Sequence, residues 1–297
     1  MADIDLKPLD QQVMVITGAS SGIGLCTALL AAEAGVRLAL AARSGETLDG
    51  VVAQITEAGG RAIAVPTDVG DRAHLQALAD TAVREFGRID TWVNDAGVAI
   101  YGRLDEVSDE DSRRLFDTNF WGVVNGSLAA LPHLRKSGGA LINLGSEVSD
   151  AVMPYQGMYS ASKHAVKGFT DALRIELQEL DEAPVSVTLI QPTAVNTPYP
   201  QHARNYMAQE PKLPTPMIDP HKVAKAILDA ATNGGRDVTV GAMAKLDTTT
   251  AKLLPSLGDK MSAMQADRQQ EDRPPQNPQG TLYQGGGSGQ VYGHAPH

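Results

Sequence analysis

Seven short, almost unbroken apolar runs, at 13–16, 36–42, 61–65, 92–94, 141–144, 185–190 and 238–240, alternate with longer segments of helical period. Strands that are apolar throughout, rather than at every second residue, are strands buried on both faces. The stretches between them, at 23–34, 48–58, 73–86, 112–134, 165–180 and 223–231, repeat apolar residues every three or four positions. Strand, helix, strand in this rhythm predicts an α/β chain: a doubly wound parallel seven-stranded sheet with helices on both faces. Ligands of such a sheet sit beyond the carboxyl ends of its strands.

The expected main domain is 1–241. Within it the connection 193–219 carries Pro198, Pro200, Pro211, Pro214 and Pro216 without a clear period. A loop that long in a compact domain predicts a lid over a substrate mouth, with a passive surface excursion as the alternative. Over 242–264, Leu246, Leu253, Leu254, Leu257, Met261 and Met264 recur at roughly helical spacing, which predicts a C-terminal helical extension packed on the body. From 265 to 297 the composition turns to Gln, Pro and Gly, and predicts a mobile tail.

Charge and composition exclude several classes. The chain has 25 basic against 35 acidic residues, formal charge −10, and no basic stripe, which argues against nucleic acid as a partner. No apolar run is long enough to span a bilayer, and the N-terminal decapeptide lacks a signal-peptide pattern, so the expected address is cytoplasmic. The single cysteine, Cys26, lies in an apolar helical run and reads as core packing. The seven histidines are scattered, with no zinc-binding spacing, and no metal site is expected.

The chemistry concentrates at strand ends. Thr17-Gly18-Ala19-Ser20-Ser21-Gly22-Ile23-Gly24 joins the first strand to the first helix. Glycines there permit a tight turn and close backbone approach, and a helix N-terminus attracts a pyrophosphate. After the second strand stands Arg43, where an NAD-selecting protein would present an acid to the adenosine ribose. A guanidinium at that point suits a 2′-phosphate, so NADP(H) is expected ahead of NAD(H); a merely solvated Arg43 would leave the choice open. Asp68 and Val69, after the third strand, are placed to contact adenine, although Asp68 also suits a plain helix cap.

Tyr159 alone among the seven tyrosines has a lysine, Lys163, four residues on. One helical turn puts both on one face. A cation about 5 Å from a phenol, at an effective dielectric of about 20, favours the phenolate by roughly 3 kcal/mol. The phenol is therefore expected about two units below its ordinary pKa, where it can exchange a proton near neutrality.

Together these residues resemble the short-chain dehydrogenases/reductases, in their compact single-domain branch with a Rossmann fold. The glycine turn is similar to that family's cofactor motif, Asn94-Asp95-Ala96-Gly97 to its Asn-Asn-Ala-Gly motif, and Tyr159-x-x-x-Lys163 to its catalytic pair. Asn119 and Ser146 match the other two members of its tetrad. The resemblance covers roughly 12–241. It departs at Asp95, where the family usually has a second Asn, and at Pro192-Thr193, where Pro-Gly is common.

The resemblance implies an NADP(H)-dependent oxidoreductase that interconverts a carbonyl and an alcohol. Tyr159 would be the general acid/base, and Ser146 would hold the substrate oxygen. Lys163 would serve the tyrosine and the nicotinamide ribose, and Asn119 a water linking Lys163 to solvent. Gly18, Ser20, Ser21, Gly22, Ile23 and Gly24 would cradle the pyrophosphate, and Asn94, Ala96 and Gly97 the adenosine side. Pro192, Val195 and Thr197 would meet the nicotinamide. The implied substrate is a small hydrophobic alcohol or carbonyl compound, and the implied assembly a homodimer or homotetramer. The alternative is a nucleotide-sensing interaction protein without turnover; sensors on this fold tend to lose the Tyr or the Lys, and both are present.

Overall fold

The computed structural model describes residues 4–241, 255–286 and 288–293. Its centre is a seven-stranded sheet in the order β3-β2-β1-β4-β6-β7-β9, every neighbouring pair parallel. The strands are β1 (Val13–Thr17), β2 (Arg37–Ala42), β3 (Arg61–Pro66), β4 (Thr91–Asn94), β6 (Gly139–Leu144), β7 (Val185–Pro192) and β9 (Asp237–Val240). A separate parallel pair joins β5 (Ile100–Tyr101) to β8 (Arg204–Asn205). The main order runs outward in opposite senses from β1 and β4, and a crevice opens above their carboxyl ends, as expected of a doubly wound sheet.

Alternate residues of each strand feed the two faces. Met14, Ile16, Leu38, Leu40, Val93 and Ile142 pack under α1 (Gly22–Glu33), α2 (Gly45–Glu57) and α8 (Pro220–Asn233). Val15, Ala39, Ala41, Trp92 and Leu141 pack under α3 (Arg72–Phe86), α5 (Gly122–Ser137) and α6 (Gly157–Ile175). Each fully buried large aliphatic side chain contributes about 1.5–3 kcal/mol, so the two apolar layers fix which helix lies on which side. Cys26 is buried in α1, and burial pushes its thiol up to about 12, as suits packing rather than reactivity.

Helix ends follow local chemistry. Ser44, Asp71, Ser108 and Asp219 each accept a backbone N–H at the start of α2, α3, α4 (Asp109–Phe116) and α8. The stretch 112–134, expected as one helix, is instead α4, a wide turn over Asp117–Trp121, and α5. That turn is a π-type insertion, which displaces one residue of an otherwise continuous helix.

The proline-rich connection after β7 forms α7 (Tyr199–His202) and β8, then returns so that Ile218 pairs with Val195. Beyond β9, Leu246, Leu253 and Leu254 of the expected extension lie outside the described residues; α9 covers Pro255–Gln265. The tail expected to be mobile touches the body at several described points. Gln270 pairs with Pro211, Asn205 donates to the Pro278 carbonyl at 2.9 Å, and Leu282 is completely buried. No helix among the described residues is long and apolar enough to cross a membrane.

Candidate active site

At the switch between β1 and β4, Thr17 ends its strand with a hydroxyl that accepts from the Asp95 and Ala96 amides at 3.2 Å each. This tie draws the glycine turn against the Asn94–Gly97 loop. Gly18 has φ +76°, and a Cβ there would lie 2.8 Å from the Ala96 nitrogen. Gly24 is packed beneath, where a Cβ would strike the Gly18 carbonyl and the Asp95 carboxylate. The closeness explains why side chains are excluded at both positions, and it leaves the first turn of α1 facing the crevice.

The crevice is a cavity of about 250 Å³. Gly18, Ser20, Ser21, Gly22 and Ile23 line it along the glycine turn. Arg43, Asp68, Val69, Ala96 and Gly97 line one end, and Ser146, Tyr159, Lys163, Pro192, Val195 and Thr197 the other. Three expected site residues do not line it: Gly24, Asn94 and Asn119. Asn94 is spent inside the fold, donating to Asn143 at 2.8 Å and Ser127 at 3.2 Å and accepting from the Trp92 indole at 2.8 Å. Asn119 sits in the π-type turn, accepting from the Val98 amide at 2.8 Å and donating to the Val98 carbonyl at 2.9 Å and Ser162 at 3.2 Å. Both amides brace the wall rather than face the cavity.

Ser146 caps a short turn after β6, its hydroxyl accepting from the Val148 amide at 3.3 Å. It also hydrogen-bonds to the Tyr159 side chain, as does Tyr199. The Tyr199 ring stands edge-on to Tyr159 at 5.4 Å, and its hydroxyl donates to Gln156 at 2.9 Å. Lys163 donates to the Leu144 carbonyl at 2.7 Å, with its nitrogen 5.6 Å from the centre of the Tyr159 ring. His164 turns away and contacts the Ser160 carbonyl.

The expected depression of the tyrosine pKa is not what the site produces. Burial pushes Tyr159 up to about 12, against its hydrogen bonds with Tyr199 and Ser146, and Asp95 and Glu147 add to the rise. Part of the tyrosine faces the crevice, but the protein around it still costs the phenolate more than those hydrogen bonds return. Burial likewise lowers Lys163 to about 8, with Asp95 opposing. The spacing argument treated the ammonium as fully charged beside a solvated phenol; both groups are in fact desolvated. Asp95, the departure from the family pattern, is raised by burial to about 7, against Lys163 and the Gly24 amide.

Sequence reasoning missed Arg114, Gln156, Tyr199, His202 and the tail. Arg114 on α4 donates to Asp68 at 2.6 Å. Burial would raise the Asp68 carboxyl, but Arg114 and the Gly70 amide hold it below its ordinary range. Gln156, Tyr199 and His202 line the cavity together with Met153, Leu213 and Pro214. No motif marks them; only the fold of the proline-rich connection brings 199–214 to the crevice. Tyr155 and Met158, which also precede Tyr159 in the chain, do not line it.

A family sequence model described as short chain dehydrogenase matches residues 12–207. YxnA, an uncharacterized oxidoreductase of Bacillus subtilis, is 43% identical over 288 residues, covering 95% of this chain and 81% of its own length. SadH, a putative oxidoreductase of Mycobacterium tuberculosis, is 33% identical over 266 residues, covering 87% of this chain and 96% of its own. A short chain dehydrogenase/reductase from Burkholderia phymatum, solved with NAD, is similar with TM-score 0.72 and 28% identity over 85% of this chain and 96% of that one. An alcohol dehydrogenase from Thermococcus sibiricus, solved with 5-hydroxy-NADP, is similar with TM-score 0.68 and 26% identity over 77% of this chain and 95% of that one.

Proposed function

The chain belongs to the short chain dehydrogenase family, and from that premise we propose that it interconverts a carbonyl and an alcohol using NADP(H), with Tyr159 as general acid/base. The observation that carries the reading is the meeting of the Tyr159 and Ser146 hydroxyls at one end of the crevice, with Lys163 behind them. The residues present fit a dinucleotide. Gly18, Ser20, Ser21, Gly22 and Ile23 line the crevice at the start of α1, where helix amides suit a pyrophosphate. On this reading Arg43 would take a 2′-phosphate, Asp68 and Val69 would contact adenine, Lys163 the nicotinamide ribose, and Pro192, Val195 and Thr197 the nicotinamide.

When bound, the reduced nicotinamide supplies the hydride. Ser146 then holds the substrate oxygen by a hydrogen bond, and Tyr159, neutral at physiological pH, gives it a proton. In the reverse direction Tyr159 takes the alcohol proton, with Lys163 beside it to stabilise the phenolate. Met153, Leu213 and Pro214 line the substrate side and suit a small hydrophobic alcohol or carbonyl compound. A homodimer or homotetramer through α5 and α6 is supported by exposed Trp121, Leu128 and Ile175 along that layer.

The test is NADPH oxidation across a panel of aldehydes, ketones, quinones and steroids, with Tyr159→Phe alongside. A substrate turned over by the native chain and not by the variant establishes both reaction class and proton donor. No turnover of any panel member by either removes the reading.

A further inference from the structure

The crevice has a wall that no family motif supplies. Thr281, Gly285 and Gly286 line the cavity together with the cofactor-motif residues. The segment 281–286 and 288–293 therefore crosses the crevice from end to end. At the end expected for adenosine, Arg43 donates from Nη1 to the Leu282 carbonyl at 3.0 Å and from Nη2 to the Thr281 carbonyl. Arg114 joins the same Leu282 carbonyl at 3.2 Å. In the middle, the Gly22 amide at the start of α1 donates to the Gln290 carbonyl at 2.9 Å. At the end expected for nicotinamide, Gly293 lies against Thr197, where a Cβ would strike the Thr197 carbonyl.

Anchors outside the crevice hold the segment there. Leu282 is wholly buried among Val98, Ile100 and Leu115. Tyr283 donates to Asp111 at 2.7 Å, and the Tyr292 hydroxyl lies 3.0 Å from His221. The glycines that suggest disorder have a packing reason: a Cβ at Gly285 would lie 2.8 Å from the Cβ of Arg43 and 3.1 Å from the Ser44 nitrogen. A residue with a side chain could not lie so close.

We propose that 281–286 and 288–293 form a strap along the outer wall of the dinucleotide site, closing over the cofactor so that nucleotide enters and leaves only when the strap lifts. The strap leaves a cavity that Thr281, Gly285 and Gly286 line, and a bound nucleotide would take the Gly22 amide from the Gln290 carbonyl while the Leu282 and Tyr283 anchors stay in place. Arg43 keeps capacity for a phosphate: a guanidinium has five N–H donors, and the strap carbonyls take two. A segment that must detach before release makes nucleotide exchange slow, with the lost anchors setting the rate.

The inference rests on the cofactor reading above, and the experiment separates the two. Amide hydrogen exchange of the full chain is followed at 281–286 and 288–293 with and without NADPH, and NADPH dissociation is timed for the native chain and for Leu282→Asp. Expected are slower exchange of the strap when NADPH is bound, and release from Leu282→Asp about tenfold faster or more. Should Leu282→Asp not fold, Tyr283→Phe, which drops the hydroxyl's bonds to Asp111 and Glu110, replaces it. NADPH binding with strap exchange unchanged or faster overturns the strap, the latter outcome marking a competitor of the cofactor, while the cofactor reading stands. Binding of neither NADPH nor NADH to either chain sinks the cofactor reading and the strap with it.

Discussion

Lys163 directs its ammonium to the Leu144 carbonyl at 2.7 Å, while that nitrogen stands 5.6 Å from the ring centre of Tyr159. The lysine is thus tied to the end of β6 as well as to the tyrosine, and its charge is shared between a strand terminus and the site. With burial holding the phenol up to about 12, Tyr159 is suited in this state to give a proton rather than to take one.

Tyr159→Phe is expected to keep cofactor affinity and lose turnover by about 10²–10⁴-fold, the usual contribution of a positioned acid or base. Nucleotide fluorescence titration and steady-state rates measure the two quantities separately. Turnover within a few-fold of the native chain would take Tyr159 out of the proton step.

Lys163 gives stability a pH dependence of known sign. Its pKa falls from 10.5 to about 8 on folding, so between those values the unfolded chain holds a proton that the folded chain lacks. Stability therefore rises with pH from about 8 to 10.5 through this group. Tyr159 acts oppositely: raised from 10 to about 12, it makes stability fall across that higher window. Lys163→Met should be more stable than the native chain at neutral pH, lack the rise above 8 and be inactive. Urea midpoints over the pH series decide the first two, and a midpoint lower at neutral pH contradicts the buried-charge argument.

Arg43→Ala is expected to raise the NADPH dissociation constant about 10–100-fold while changing that for NADH much less, because only NADPH carries the 2′-phosphate. Equal losses for the two nucleotides would assign Arg43 to general site architecture, including its bonds to Thr281 and Leu282.

Asp90 ties the N-terminal segment to the sheet. It accepts from Lys7 at 2.6 Å, Arg88 at 2.8 Å and the Val13 amide at 2.8 Å, and is almost fully buried. Burial alone would raise its carboxyl, but these donors hold it below the ordinary 3.8. Its contribution is present above that value and is lost as the pH falls through the folded-state pKa. Asp90→Asn should cost about 1–3 kcal/mol at neutral pH and flatten the acid limb of the stability curve. Thermal melts at neutral and acid pH measure both, and an unchanged acid limb would contradict the linkage.

What the linear chain settled by itself was local. Alternating apolar runs set the parallel sheet, because burial on two faces demands continuous apolar strands. The glycine turn and the Tyr159–Lys163 spacing located the crevice, since tight turns and helical faces are properties of neighbouring residues. Tertiary structure alone decided the rest. The sign of the Tyr159 shift depends on how much protein surrounds the phenol, and burial there outweighs the hydrogen bonds of Tyr199 and Ser146. Arg114 and Tyr199 reach the site through folding of distant segments. The Gly- and Pro-rich tail reads as too polar to fold alone; it is held by a surface that others build, as when Arg43 meets carbonyls 238 and 239 positions away. Composition reports what a segment can bury by itself, and only the assembled fold shows what it can be buried against.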